Sequence, residues 1–447
     1  MPVQSCFLAK AGGALRMVPP LAALVLLAAC LEQPTRLNTG APLSGELSGD
    51  VGTEHVMATG AQAQSRLIRD LQSRNSVLPA GSPFALIAEE VLAASKGAAA
   101  AELRVAQLRA EAKSQNWLPQ IGPTVSLSSL SGLVASLTLS QPLLDNGRRK
   151  AERDFAAADV EVAAVGLSQA MNQRVFEGLS FYVNAQRAHA QAAVSRRAAN
   201  RLAQFEDLMK ARVDGGLSDM SEQSVISQRY TEVQAQLASD AQAAATAEAQ
   251  LAALTGRPVR DMKGIDTLRD MREGPAALSV LRRMGEGARI LAQAQLQRAE
   301  MLPGLTAGVD VTETATNPGL RLTGLGMLNP GASQTMQALA ETKTVVARQN
   351  AEAAEAAQRR LIALSGEIAT LNARAAQGAQ VLAQTEGNLD LFTEQYKLGR
   401  RGLLDLVSQY DAFAQVERDQ AALRFEIALR SLEIARDLGL LVDGERL

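Results

Sequence analysis

Apolar positions recur every three to four residues through four long proline-free stretches, and in two of them the spacing tightens to a coiled-coil repeat. From Ser218 to Leu254, the positions Ile226, Tyr230, Val233, Leu237, Ala241, Ala244, Ala247, Leu251 and Leu254 span 28 residues in eight steps, a mean of 3.5. That period lets helices wind around one another. From Leu403 to Leu438 a similar grid is set by Leu406, Tyr410, Phe413, Val416, Leu423, Ile427, Ile434, Leu438 and Leu441, with Gln420 and Ser431 in the missing slots. Each return stretch follows a longer one, Arg148 to Val213 and Gln334 to Lys397. The first of these would reach ~100 Å as a helix at 1.5 Å per residue. Leu86 to Asn116 predicts a shorter helix opened by Pro83, and Pro275 to Met301 another. Each long helix therefore faces two shorter ones stacked end to end.

A different period separates the short helices from the long ones. Thr124 to Leu130 and Val134 to Ser140 largely alternate polar with apolar residues around Ser131-Gly132, as the two arms of a β-hairpin do. Leu305 to Thr312 and Gly319 to Met327 form a weaker copy. Each arm is close to the ~9 to 11 residues of a tilted strand that crosses a membrane. A soluble hairpin has the same alternation. In lipid, however, the outer strands would leave backbone groups unpaired, so four strands per chain demand closure with others.

Landmarks repeat at a fixed offset. Glu222 and Asp405, each following a glycine turn, are 183 apart; Leu118-Pro119 and Leu302-Pro303, each closing a helix, are 184 apart; Thr255-Gly256 and Leu438-Gly439 are again 183 apart. A duplicated unit is implied. The two turns are Val213 to Glu222, around Gly215-Gly216-Leu217-Ser218, and Tyr396 to Leu406, around Gly399-Arg400-Arg401-Gly402-Leu403. In both, a helix runs into glycine, which tolerates the left-handed conformation that ends a helix, and a second helix follows at once.

Composition narrows the class. The chain has 447 residues and is 47% hydrophobic yet only 3% aromatic, a balance that suits long helices over a compact mixed core. A formal charge of −2 and the lack of a long basic run disfavour nucleic acid. Lys10 and Arg16 precede an apolar run, Val18 to Ala29, too short to span a bilayer but right for a signal peptide. Leu27-Ala28-Ala29-Cys30 resembles the bacterial lipobox, whose cysteine is acylated; the alternative is an ordinary signal with an incidental cysteine. Cys6 would leave with the signal and Cys30 would be blocked by lipid, so no disulfide is expected. Residues 31 to about 82 read as an extended tether with one short helix near Ser65 to Arg74. His55 and His189 are the only histidines and lack partners at ligand spacing, so neither metal nor cofactor is expected. Nor is an enzyme: there is no phosphate loop and no nucleophile elbow, and Glu89-Glu90 reads as a solvated helix face.

Taken together, the signal, the paired repeats, the Leu-Pro stops, both glycine turns and the hairpin ending Leu139-Ser140-Gln141-Pro142-Leu143-Leu144-Asp145-Asn146-Gly147-Arg148-Arg149 resemble the TolC-type outer-membrane efflux protein family, over about residues 83 to 440. Each motif alone is unspecific; their order and spacing carry the resemblance. It implies a mainly α fold with a small β part: a homotrimer whose long coiled helices form a periplasmic α-barrel continuous with a twelve-stranded outer-membrane β-barrel. On this reading residues 1–29 are the signal peptide, 30–82 a lipidated tether, 83–256 the first repeat with its hairpin at 122–141 and turn at 213–218, and 257–274 an equatorial segment. Residues 275–440 are the second repeat with its hairpin at 304–328 and turn at 398–403, and 441–447 a tail.

The implied function is the outer-membrane exit duct of a tripartite efflux pump or type I secretion system in a Gram-negative bacterium. Its partners would be a periplasmic adaptor, an inner-membrane transporter reached through it, and outer-membrane lipid held by Cys30. Gly216, Leu217, Ser218, Gly399, Arg400, Gly402 and Leu403 match the tip turns at which the family meets its adaptor; a purely structural turn is the alternative. Glu222 matches the carboxylate tied, in the closed state, to an arginine and a tyrosine, here Arg401 and Tyr396. Asp405 matches an aspartate of a constricting ring, whose usual companion three residues later is Ser408 here. Ordinary solvated helix-end charges are the other reading of these residues. From a different class, the competing function is a periplasmic coiled-coil lipoprotein that acts as a scaffold without a pore.

Overall fold

The structure, a computed structural model, describes residues 65–447 apart from 130–131, 259–261, 270, 272–273, 313–314 and 324–329. The signal peptide, Cys30 and most of the tether lie outside them. Helix α1 (Arg66–Gln72) starts at Ser65, whose hydroxyl accepts from the Ile68 amide, and α2 (Pro83–Ala93) at Ser82, which caps the Ala85 amide. Helix α3 (Ala98–Ser114) is separate. The unbroken helix expected from Leu86 to Asn116 is therefore corrected. Gly97, left-handed at φ +68°, interrupts it, and Arg174 donates to the carbonyls of Val91 and Ala94 that end α2 and of Leu254 near the end of α5 (Met220–Thr255). The break lets α2 turn inward and bury Phe84, Ile87 and Val91 completely.

Strands β1 (Gln120–Ser129), β2 (Gly132–Leu144), β3 (Gly304–Thr312) and β4 (Thr316–Thr323) form one antiparallel sheet in the order β1-β2-β3-β4. β4 begins earlier than the Gly319 expected from the alternation. It takes in Pro318, on a strand that pairs on one side only within this chain, the setting in which a strand proline is usually found. Beyond the sheet run α4 (Arg148–Asp214, 67 residues), α5, α6 (Leu278–Met301), α7 (Ala332–Lys397, 66 residues) and α8 (Leu403–Asp437). α4 packs against α3 and α5 and also against α6 and α8, while α7 packs against α6 and α8. Nearly equal in length, the two long helices differ in burial: α4 buries 23 residues, α7 only Ala332, Val346 and Leu364. Within this chain α4 is the spine and α7 the edge. No described helix is long and apolar enough to cross a membrane.

The largest apolar cluster sits at the waist, where Phe84 meets Tyr182 edge-on at 6.2 Å beside Val175, Leu179, Phe425 and Leu432. The segment between α1 and α2 and the residues after α8 join it. Val77 donates to the Leu440 carbonyl at 2.9 Å, buried Arg74 reaches the carbonyls of Leu438 and Ala276, and buried Asn172 accepts from the Leu441 amide at 2.9 Å. Leu440, Leu441 and Val442 are buried, so 441–447 is no free tail; the last turn is a 3-10 turn at Gly444–Arg446. The segment after α5 lies along α4: Tyr182 donates to the Gly264 carbonyl and Gln186 to that of Met262, and Asp266 accepts from the Phe84 amide.

Backbone conformation carries the offset seen in the sequence. Among the described residues, eight of the nine left-handed glycines, all but Gly97, fall into the pairs Gly81 and Gly264, Gly216 and Gly399, and Gly256 and Gly439, each 183 apart, with Gly147 and Gly331 184 apart. At Gly439 the need for glycine is double: φ is +67°, and a Cβ there would stand 2.9 Å from Leu278. Gly439→Ala should therefore destabilise the protein by about 1–2 kcal/mol or more, read as a lower midpoint in urea or on heating followed by circular dichroism.

Candidate functional site: the sheet and the helical tip

Directly opposed residues share a face of the sheet, so the pairing sorts the side chains. Ile121 faces Leu139, Leu137 faces Val311, Leu139 faces Val309, and Leu305 faces Leu322. On the other face Ser136 pairs with Thr312, Thr138 with Asp310, Ser140 with Gly308, and Thr306 with Arg321. One face is thus apolar and the other polar or small. The apolar face is uncovered within the chain: Ile121 is 68% exposed, Leu137 49%, Leu320 69% and Leu322 62%. Within the chain, β1 and β4 each pair on one side only. Just below the sheet, Trp117 and Leu118 are also exposed, and the Trp117 carbonyl accepts from Arg149 at 2.9 Å.

At the far end of the helices the two glycine turns lie together. Each is a Schellman motif: Gly216 donates to Val213 and Leu217 to Arg212, as Gly399 donates to Tyr396 and Arg400 to Gln395, with distances of 2.8 to 2.9 Å. Gly216 and Gly399 both have φ +72°, whereas Gly402 is extended at φ −76° and starts α8. Beneath the turns Leu202, Phe205, Met209, Ile226, Leu403, Leu406 and Val407 form one buried cluster. The turn residues therefore differ in what they can present. Leu217 is 71% exposed, but Leu403 is buried and anchors the tip from inside. Ser218 accepts from Arg212, and Arg400 is exposed.

The four residues matched to a gate are near one another in the fold but are not joined. Arg401 donates to Gln395 at 3.0 Å and stacks over Phe392 at 4.5 Å; half-buried Tyr396 packs on the tip cluster. Asp405 accepts from the Gly402 amide at 3.4 Å, which serves the start of α8. Glu222 forms no ion pair among the described residues; its amide donates to Asp219, the cap of α5. Hydrogen bonds from the Ser221 hydroxyl and the Glu222 amide hold Asp219 below the ordinary carboxylate pKa.

Sequence reasoning missed a polar network about a third of the way from the tip to the sheet. Buried Asp240 of α5 pairs with Arg418 of α8 at 2.5 Å and accepts from Ser195 of α4 at 2.9 Å and from Gln236 at 3.0 Å. A second pair, Arg197 with Glu417 at 2.5 Å, ties α4 to α8 nearby. The local signal was slight. Asp240 sits one position before Ala241 on the coiled-coil grid, and its partner is 178 residues away.

A family model described as Outer membrane efflux protein matches residues 91–257. In fold the chain is similar to the outer membrane protein VceC from Vibrio cholerae, with a TM-score of 0.70 at 17% identity over 80% of this chain and 96% of that one. It is similar to CusC, with a TM-score of 0.67 at 14% identity over 79% of this chain and 91% of that one. It is also similar to the open state of the MtrE outer membrane channel of Neisseria gonorrhoeae, with a TM-score of 0.64 at 14% identity over 81% and 91%. No curated protein matches the chain in sequence. The resemblance to TolC-type outer-membrane efflux proteins that the motifs implied is borne out, in sequence over the first repeat and in fold over most of the chain.

Two outcomes follow from the tip and its network. Asp240→Ala leaves the partly buried Arg418 without its carboxylate and should cost up to about 3 kcal/mol in urea unfolding, whereas Asp240→Leu with Arg418→Met should recover most of it. Asp219 acts by its charge: because its folded pKa is depressed, the cap is fully present above the unfolded value of about 3.9 and lost as pH falls through the folded one. Amide protection at Ser221 and Glu222 should fall in that acidic window, and in Asp219→Ala it should be low at every pH.

Proposed function

Because this chain has the fold of the outer-membrane efflux proteins, we propose that it is the outer-membrane exit duct of a tripartite export assembly, an efflux pump or a type I secretion system. The observation that carries this reading is the sheet: an uncovered apolar face, a polar face and two unpaired edges, joined to helices of ~100 Å. In lipid such edges must be closed, and copies of the same sheet joined β4 to β1 close them. Three copies supply twelve strands. Eight-stranded barrels fill with side chains and sixteen-stranded ones hold a water channel; twelve strands lined by Ser, Thr and Gly leave a wet passage. The exposed faces of α7, α3 and α5 would close the helical tunnel in the same way. The scaffold reading gives no account of the exposed leucines of the sheet, because a periplasmic sheet would leave them in water.

The remaining parts follow from that placement. The tip, with exposed Leu217 and Arg400, would meet the periplasmic adaptor, and through it an inner-membrane transporter that chooses the cargo. Cys30 would carry lipid into the outer membrane, and two or more acyl chains hold firmly where one does not. Reach is no obstacle. The α1 residues Leu67, Ile68 and Leu71 pack near Ala164 to Leu167, ~25 Å along α4 from its start, while residues 31–64 extended would cover ~110 Å. In the gate, Glu222 would be tied to Arg401 and Tyr396 in the closed state, each exposed ion pair contributing only ~0.2 to 1 kcal/mol. Asp405 would line the mouth and favour cations.

Purified protein should migrate as a heat-modifiable trimer and give stable conductance in planar bilayers. Glu222→Ala with Arg401→Ala should raise that conductance, and Asp405→Ala should reduce cation selectivity. A protein that forms neither trimer nor pore is a scaffold, and a double variant that conducts like its parent has no gate at these residues.

A further inference from the structure

Among the described strand residues only two are charged, and they meet. Asp310 on β3 and Arg321 on β4 form an ion pair at 3.0 Å, and Asp310 also accepts from the Thr138 hydroxyl of β2 at 2.7 Å. Both lie on the polar face, since Asp310 pairs with Thr138 and Asn317, and Arg321 with Thr306. The rung between them is Gly308 opposite Gly319, so no side chain stands between the arginine and the carboxylate it reaches. Thr138 is midway along β2, which places the pair at half the height of the sheet.

We propose that Asp310 and Arg321 set the charge of the barrel lumen: paired, they cancel, and the barrel passes cargo without sorting it by sign. This rests on the reading of the sheet as one third of a pore whose polar face is inside. The physical argument is one of range. An exposed pair held by a single side-chain contact contributes little to stability, so its placement halfway up a passage matters mainly for the field there. Three unbalanced charges in one plane act over the screening length of ~8 to 10 Å near physiological salt, and rings of like charge are what make pores selective. Arg321 is the more exposed partner, its side chain 69% accessible against 36% for Asp310. Both residues are distinct from Asp405, which lies at the opposite end of the molecule on α8.

The test is the reversal potential of the full chain in planar bilayers under a salt gradient near 0.1 M. Arg321→Gln should shift the cation-to-anion permeability ratio at least twofold toward cations and Asp310→Asn at least twofold toward anions. Their combination should return to the parent value, and Arg321→Lys should stay there. The shifts should vanish near 1 M salt, where the screening length falls to ~3 Å. If Arg321→Gln fails to assemble, Asp310→Asn alone decides by the direction of its shift. Conducting variants with the parent's reversal potential overturn this inference and leave the duct intact; a parent that does not conduct overturns both.

Discussion

A helix of 67 residues cannot rest on propensity alone, and α4 persists because something covers it along its whole length. Its stripe of Ala, Val and Leu, small enough to let neighbours approach, is met by α3 and α5 on one side and by α6 and α8 on the other. Those neighbours are themselves shorter, so each side has a joint where two helices end facing each other. At the first joint Arg174 satisfies the carbonyls that end α2 and those near the end of α5, so one guanidinium replaces three missing helical donors. At the second, Arg74 and Asn172 serve the chain after α8. The waist is where these joints fall, and it is also where the largest core has formed.

The sequence and the structure agree where periodicity is long. The 3.5-residue grids mark α5 and α8, and the alternation beside Gly132 marks a hairpin, because side-chain period directly reports which face is covered. The disagreements have physical reasons. Gly97 follows Ser95-Lys96 and precedes four alanines, and a lone glycine inside a helical pattern marks a weak point without saying that α2 would turn away to bury Phe84. The ends at 65–82 and 441–447 carry short apolar groups, Leu71, Val77 and Leu440 to Val442, that have no period of their own and find a place only against each other. The Asp240–Arg418 pair depends on two residues 178 apart, which only tertiary structure relates.

At the tip, legibility was mixed in an instructive way. Both glycine turns were readable because a left-handed residue leaves few choices of side chain. What each turn presents was not: Leu217 and Leu403 each follow a glycine, yet one is in water and the other is buried in the tip cluster. The same holds for the charges. Arg401 could be placed at the turn from its position, but that it would stack on Phe392 and bond Gln395 depends on the rotamer that α7 offers it.

The polar contacts between helices also divide the molecule mechanically. α8 is bolted to α4 and α5 by Asp240–Arg418 and Arg197–Glu417, and to α7 near the waist by Arg360–Asp437 and Arg430–Glu367. Further toward the tip, α7 and α8 share, among the described residues, the side-chain hydrogen bond from Gln420 to the Ala375 carbonyl, beside Gly378, and then the apolar packing of Leu389, Phe392 and Tyr396. Toward the tip α7 is therefore held to α8 by apolar packing, whereas α8 is held to α4 and α5 by ion pairs. Apolar contacts fix the position of one helix along another less sharply than directional polar contacts do, so within this chain the tip end of α7 is the least pinned of the four.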